Sequence, residues 1–216
     1  YRLSVAAAKY IANAMVYDDV IRVADPKTRA VRFSRIRTDI GVSDDEVLYL
    51  TEYFHPRAQE VCAMCPARWG RLVESRPRLF RWVDRRVNRG RRIRTDNLLG
   101  FMQLYVIAGL RRWRRRLLRH AVEQQHMQTW LNSVLTTVSA DYDLAVEMIR
   151  CHRLVKGYSD THARTLSKFD RVMTAAIDLR GLADAADRVR RLCASAMQEE
   201  DDGALEEALH ALKRVH

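Results

Sequence analysis

Glycine and proline are scarce in this chain, at 8 and 4 of 216 residues. Few turns can therefore punctuate it, and helices should dominate. No run of alternating strand pattern, internal repeat or low-complexity linker stands out. There is no Gly-rich phosphate loop, no nucleophile elbow and no HExxH helix, so the commonest catalytic signatures are missing. The longest apolar run, about Leu98 to Leu110, is interrupted by Gly and Gln. It is too short to cross a bilayer, which takes roughly 20 residues. The four cysteines read as thiols of a cytoplasmic protein: Cys151 and Cys193 sit singly in helical patterns, and only Cys62 and Cys65 are close. The seven histidines are scattered, and no spacing pairs one with a carboxylate.

What is present in quantity is positive charge. The formal net charge is +11, from 38 Lys and Arg against 27 Asp and Glu. With 48% hydrophobic and 30% charged residues, the composition suits a folded protein with a real core and anionic partners. The chain opens at Tyr1 without an initiator Met, and the expectation is a piece of a longer subunit.

Along the chain, Leu3 to about Ala24 reads as one helix, with Ala7, Ile11 and Met15 four apart. Asp25-Pro26 should restart it, and Gly41 should stop it. Ser43 to Glu46 has the form of a capping box, predicting a helix to about Tyr53. His55-Pro56 breaks the pattern. Short helices are expected over Arg57–Met64, Pro66–Glu74 and Pro77–Val87, then a turn at Asn88-Arg89-Gly90. From about Asp96 a long helical stripe runs through Leu110, Trp113, Leu117, Ala121, Gln124, Met127, Leu131, Val134 and Val138, with Gly100 and Gly109 as weak points. Ser139 or Asp141 should start a helix ending at Gly157, and helices should follow to about Ala175, over Ala183–Met197 and from Ala204. The acidic stretch Glu199 to Asp202 reads as a loop.

The stretch from Leu154 to Arg164 concentrates chemistry. Gly157 suits a left-handed helix end, Lys156 suits the last turn, and Ser159 or Asp160 can cap the next helix. His162 begins an apolar stripe with Leu166, Phe169, Val172 and Met173, which favours a core histidine. The functional alternative is that Lys156, Tyr158, Asp160, His162 and Arg164 line an anionic pocket or a partner interface. Cys62-Ala63-Met64-Cys65 has the spacing of half a zinc or iron–sulfur site, or of a redox dithiol whose pKa a helix N-terminus would lower. It lacks two further ligands.

The arginine belt is denser. Arg91, Arg92 and Arg94 precede the long stripe, and Arg111, Arg112, Arg114, Arg115, Arg116 and Arg119 lie on it. Guanidinium forks suit phosphates and carboxylates, and Trp69, Trp82 and Trp113 add stacking surface. A nucleic-acid-binding module is therefore an alternative function, although no helix-turn-helix, zinc-finger or RNA-binding signature is present. The arginines can equally be a solvated face, or pair with acids of a neighbouring subunit.

Several stretches together resemble the helical C-terminal region of the indolepyruvate oxidoreductase β-subunit family. They are Tyr17-Asp18-Asp19 with Arg22 to Asp25 and Lys27-Thr28-Arg29; Glu52 to Arg57; Gly109 to Arg116; and Arg153 to Tyr158 with Asp160 to Arg164. The family's Gly after Tyr158 is Ser159 here. The resemblance implies a part of a 2-oxoacid oxidoreductase that converts aryl pyruvates to acyl-CoA using thiamine diphosphate with magnesium, an iron–sulfur cluster and coenzyme A. Those cofactors belong to other domains or subunits, and none is expected on this segment. The expected partners are the rest of the subunit, the thiamine-binding subunit and a second copy of the chain. The expected fold is all-α, a multi-helix bundle with one long central helix and little or no sheet. It should form a single helical domain over 1–216, with 88–95 the best place for a subdivision.

Overall fold

A computed structural model describes residues 1–43, 45–157, 159–198 and 203–214. In chain order the elements are α1 (Arg2–Met15), α2 (Val20–Lys27), α3 (Ala30–Ile40), β1 (Thr51–Phe54), α4 (Ala58–Ala63), α5 (Ala67–Glu74), α6 (Pro77–Val87), β2 (Arg91–Arg94), α7 (Leu98–Gly109), α8 (Leu118–Val138), α9 (Tyr142–Arg150), α10 (Ser159–Asp178), α11 (Ala185–Gln198) and α12 (Gly203–Arg214). Short 3-10 turns cover Leu110–Arg112, Arg114–Arg116 and Cys151–Leu154. The protein is all-α, with α8 its longest described helix and β1–β2 the one described sheet. Among the described residues, no helix is long and apolar enough to cross a membrane.

The chain divides into two compact units, one of residues 1–17 with 123–216 and one of 18–122. The stretch 88–95 lies inside the second unit, where it forms a turn and β2. In the first unit, α1 packs on α9, and α9, α10, α11 and α12 enclose one core. Leu144, Met148, Val172, Val189 and Leu205 are buried in it. α9 starts where Asp141 accepts a hydrogen bond from the Leu144 N–H at 2.9 Å, which satisfies one of the orphan donors of a helix start. Trp130 is also enclosed, and its indole N–H donates to the Met148 carbonyl at 3.0 Å.

In the second unit, α2 packs on α7 through Ala24, Leu104 and Ala108, flanked by Phe54 and Ile93. β1 and β2 are antiparallel, with Glu52 opposite Ile93 and Phe54 opposite Arg91. The short helices α4, α5 and α6 occur where the proline breaks predict them, and Gly41 takes the left-handed conformation at the end of α3.

Four expectations need correction. The Ser43–Glu46 box starts no helix: Glu46 accepts from both the backbone N–H and the hydroxyl of Ser43, closing a local turn, and β1 follows. Asp44 lies outside the described residues. The first helix does not reach Ala24, because it ends at Met15 and Asp19 caps α2 through the Arg22 N–H at 2.7 Å. Pro26 starts nothing; it sits in the last turn of α2, and α3 begins at Ala30. The long stripe from Asp96 is interrupted after Gly109 by two 3-10 turns, so Trp113 is 55% exposed rather than part of a buried stripe.

Candidate functional site

Two places gather the chemistry that the sequence singles out, one in each unit. In the first unit, the junction between α9 and α10 is a 3-10 turn followed by Gly157 at φ +71°. The left-handed angle falls on that glycine, and Ser159 opens α10. A side chain at 157 would also collide with Thr161, with a Cβ only 2.9 Å from its Cγ2. The Thr165 hydroxyl closes the junction. It accepts the Lys156 N–H at 3.1 Å and lies 3.0 Å from the Lys156 carbonyl and 3.1 Å from that of His162. Thr165 is a residue that sequence reasoning passes over.

Lys156, Asp160 and Arg164 are exposed, and Tyr158 lies outside the described residues. His162 alone turns inward, with its Nε2 3.5 Å from the Glu123 carboxylate. That contact overturns the expectation that no histidine meets a carboxylate; the partners are 39 positions apart in sequence, beyond any local spacing rule.

His162 is one of three histidines gathered here. His152 lies 4.5 Å from the Trp130 ring and 5.8 Å from that of Phe169, and His126 lies 5.1 Å from Phe169 and 6.1 Å from His152. Burial, and then the proximity of His126 and His162, press the His152 pKa down to about 4. The His126 Nε2 is buried without a hydrogen-bond partner among the described residues. Burial raises the nearby Asp170 carboxyl, against the pull of His126. The arrangement holds a neutral imidazole among aromatic rings; its sequence signal is faint, since only the four-residue spacing of His126 and Trp130 on α8 points to it.

Beside the same junction, Cys151 and Cys193 are not isolated. The Cys151 thiol donates to Cys193, and Arg153 donates through Nε to the Cys193 Sγ at 3.3 Å. Those two donors, working against burial, lower the Cys193 pKa to about 7. The shared hydrogen bond and burial raise that of Cys151. At Cys62 and Cys65, burial raises both thiols, the opposite of the lowering that a redox dithiol would call for. Among the described residues, no group of three or more His, Cys, Asp or Glu is placed to hold a metal ion.

The second place is the arginine belt. Arg114 pairs with Asp19 at 2.7 Å and Arg111 with Asp25 at 2.5 Å. Burial works against the Asp25 carboxylate, but Arg29 and Arg111 more than offset it and hold its pKa below the usual range. Glu52 on β1 accepts from both Lys27 and Arg32. On β2, Arg92 lies over Tyr53, and Arg94 lies over Tyr49 and pairs with Asp96; Arg91 is exposed. Arg86 lies over Trp82, with the guanidinium 5.2 Å from its ring. Arg112, Arg115 and Arg116 form no ion pair among the described residues, and with Trp113 they line a recess of about 460 Å³. The belt is thus two populations, one consumed in the framework and one presented outward.

No curated protein and no solved structure matches the chain. A family model matches residues 1–175, from α1 into α10, and the chain belongs to that family, a family of unknown function designated DUF6537.

Proposed function

We propose that the chain is a helical accessory domain of an oxidoreductase subunit similar to those of indolepyruvate oxidoreductases, serving assembly of the enzyme while the thiamine and iron–sulfur chemistry lies elsewhere. The supporting observation is what the resembling stretches do. Asp19 and Asp25 of the first stretch meet Arg114 and Arg111 of the third, and Lys27 meets Glu52 of the second. Residues far apart in sequence thus become one ion-paired framework within the second unit. Such partly enclosed pairs fix geometry, because removing one partner strands the other. The fourth stretch becomes a tied helix junction, with Lys156 and Arg164 exposed beside it. A cytoplasmic location belongs to the same reading.

The test is co-elution of the full-length subunit with its thiamine-binding partner, with and without this segment, alongside aryl-pyruvate oxidation. Loss of the complex with a folded remainder supports an assembly role. An intact complex with normal turnover would sink it. Steeply salt-dependent binding to generic nucleic acid, with normal assembly in the deletion, would favour the alternative of a nucleic-acid-binding module.

A further inference from the structure

The run Arg111–Arg116 sorts six residues into three rows. A 3-10 helix has three residues per turn, so positions three apart eclipse. Two such turns, meeting at Trp113, cover this run. The first row is Arg111 and Arg114, which reach Asp25 and Asp19. The third is Trp113 and Arg116, with the guanidinium 5.3 Å from the ring centroid. The middle row, Arg112 and Arg115, has no carboxylate partner among the described residues. The two ion pairs of the first row anchor the turns and fix where the other rows point.

The recess is lined by Arg112, Trp113, Arg115 and Arg116, with no acid among them. Its volume is about 460 Å³, and its four lining residues are exposed, so a ligand would lie against the surface and be held mainly by charge and stacking. Three guanidiniums without a counter-charge favour a ligand that brings at least two negative charges on closely spaced oxygens, and the planar fork matches phosphate. Trp113 is 55% exposed although Arg116 lies over its ring, so indole surface remains for a planar group. An acidic peptide would satisfy the charge and leave the indole unused.

We propose that this recess binds a phosphate carried next to a planar aromatic ring, the chemistry of a nucleotide. Arg112 and Arg115 grip the phosphate, Arg116 adds charge from its stacked position, and Trp113 takes the base. The proposal does not rest on the oxidoreductase reading. Two sources share this chemistry, a free nucleotide and a single strand of nucleic acid, and the experiment separates them.

The experiment is calorimetric titration of the whole chain at low salt with ADP, inorganic phosphate, adenosine and a short single-stranded oligonucleotide. ADP should bind more tightly than phosphate, and adenosine should give no heat. The Arg112→Gln/Arg115→Gln variant should weaken ADP binding by about tenfold to a hundredfold, the scale of charge-assisted bonds to one phosphate. Removing two exposed arginines elsewhere, Arg78→Gln/Arg85→Gln, should leave it within about threefold, since it changes only net charge. Trp113→Ala should abolish the preference for ADP over phosphate, and Trp113→Tyr should keep it; circular dichroism confirms that each variant is folded. Oligonucleotide binding without ADP binding, lost in the Arg112/Arg115 variant alone, assigns the strand as the source. Equal losses in both double variants, ADP no tighter than phosphate, or no binding of either probe would overturn the proposal.

Discussion

Arg153 Nε points at the Sγ of Cys193 across 3.3 Å, in a core where Cys193 is 1% exposed. The Cys151 thiol, donating to Cys193, and then Arg153 lower the Cys193 pKa from 9.0 to about 7, while that of Cys151 rises. Between pH 7 and 9 the unfolded chain therefore holds more protons than the folded one, and stability should increase with pH. Above pH 9 the order reverses, because Cys151 stays protonated only in the folded state. The Arg153→Leu variant should move the thiolate absorbance step to higher pH and flatten the rise. Urea midpoints across this range check both parts, and an unchanged step in the variant would contradict them.

His152 should make the first unit acid-sensitive. Its pKa falls from 6.5 to about 4 through burial and then through His126 and His162. The unfolded chain binds the extra proton between those values, so stability is lost as pH falls from 6.5 to 4, by up to about 3 kcal/mol. His152→Phe, which keeps a ring against Trp130, should remove much of that slope. Denaturant midpoints at pH 4.5 and 7 for the two proteins give the comparison.

Glu52 should be the most costly carboxylate to remove from the second unit. It is 8% exposed and accepts from Lys27 and Arg32. Glu52→Ala should destabilise by about 2–4 kcal/mol, because both cations lose their partner while partly enclosed. Burial raises its pKa, but Lys27 and then Arg32 more than offset this and hold the value below 4.5. Its contribution is therefore complete above pH 4.5 and fades as pH falls through the lower folded value. Thermal melts of wild type and variant at pH 3 and 7 should converge at the acid end.

Much of the helical pattern was legible in the sequence, because Asp141, Gly41, Gly157 and the proline breaks act locally. The sheet was not. Thr51–Phe54 is held by pairing with Arg91–Arg94 and by the ion pairs of Glu52, all of them contacts with distant residues. The break after Gly109 was hidden for a similar reason, since an apolar stripe can be drawn through Leu110 and Trp113 while Asp19 and Asp25 pull the neighbouring arginines into 3-10 turns. Of the candidate site, Gly157 and the inward turn of His162 could be read locally. Glu123, His126, His152 and the Cys151–Cys193 pair could not, because they meet only when α8, α10 and α11 pack.

The two glycines of α7 should behave oppositely. A Cβ at Gly100 would stand 2.0 Å from the Arg94 carbonyl oxygen, which belongs to the backbone of β2. Gly100→Ala should cost about 3 kcal/mol, at the upper end of overpacking penalties. At Gly109 a Cβ meets nothing within 4 Å, and Ala should stabilise the helix end by about 0.5–1 kcal/mol. Equal urea midpoints for the two variants would contradict the close approach of α7 to β2.

The first unit is assembled from two segments separated in sequence, residues 1–17 and 123–216. α1 contributes Ala6 to its core, and the Leu3 N–H is held by the Tyr142 hydroxyl at 3.0 Å, 139 positions later. At a ribosomal rate of about 5–20 residues per second, α1 waits roughly 7–30 s for its partner helix to be synthesised. Residues 18–122 emerge in full during that interval, so the second unit can fold while the apolar side of α1 stands uncovered. α1 is thus made first but can take its place in the first unit only after α9 has been made.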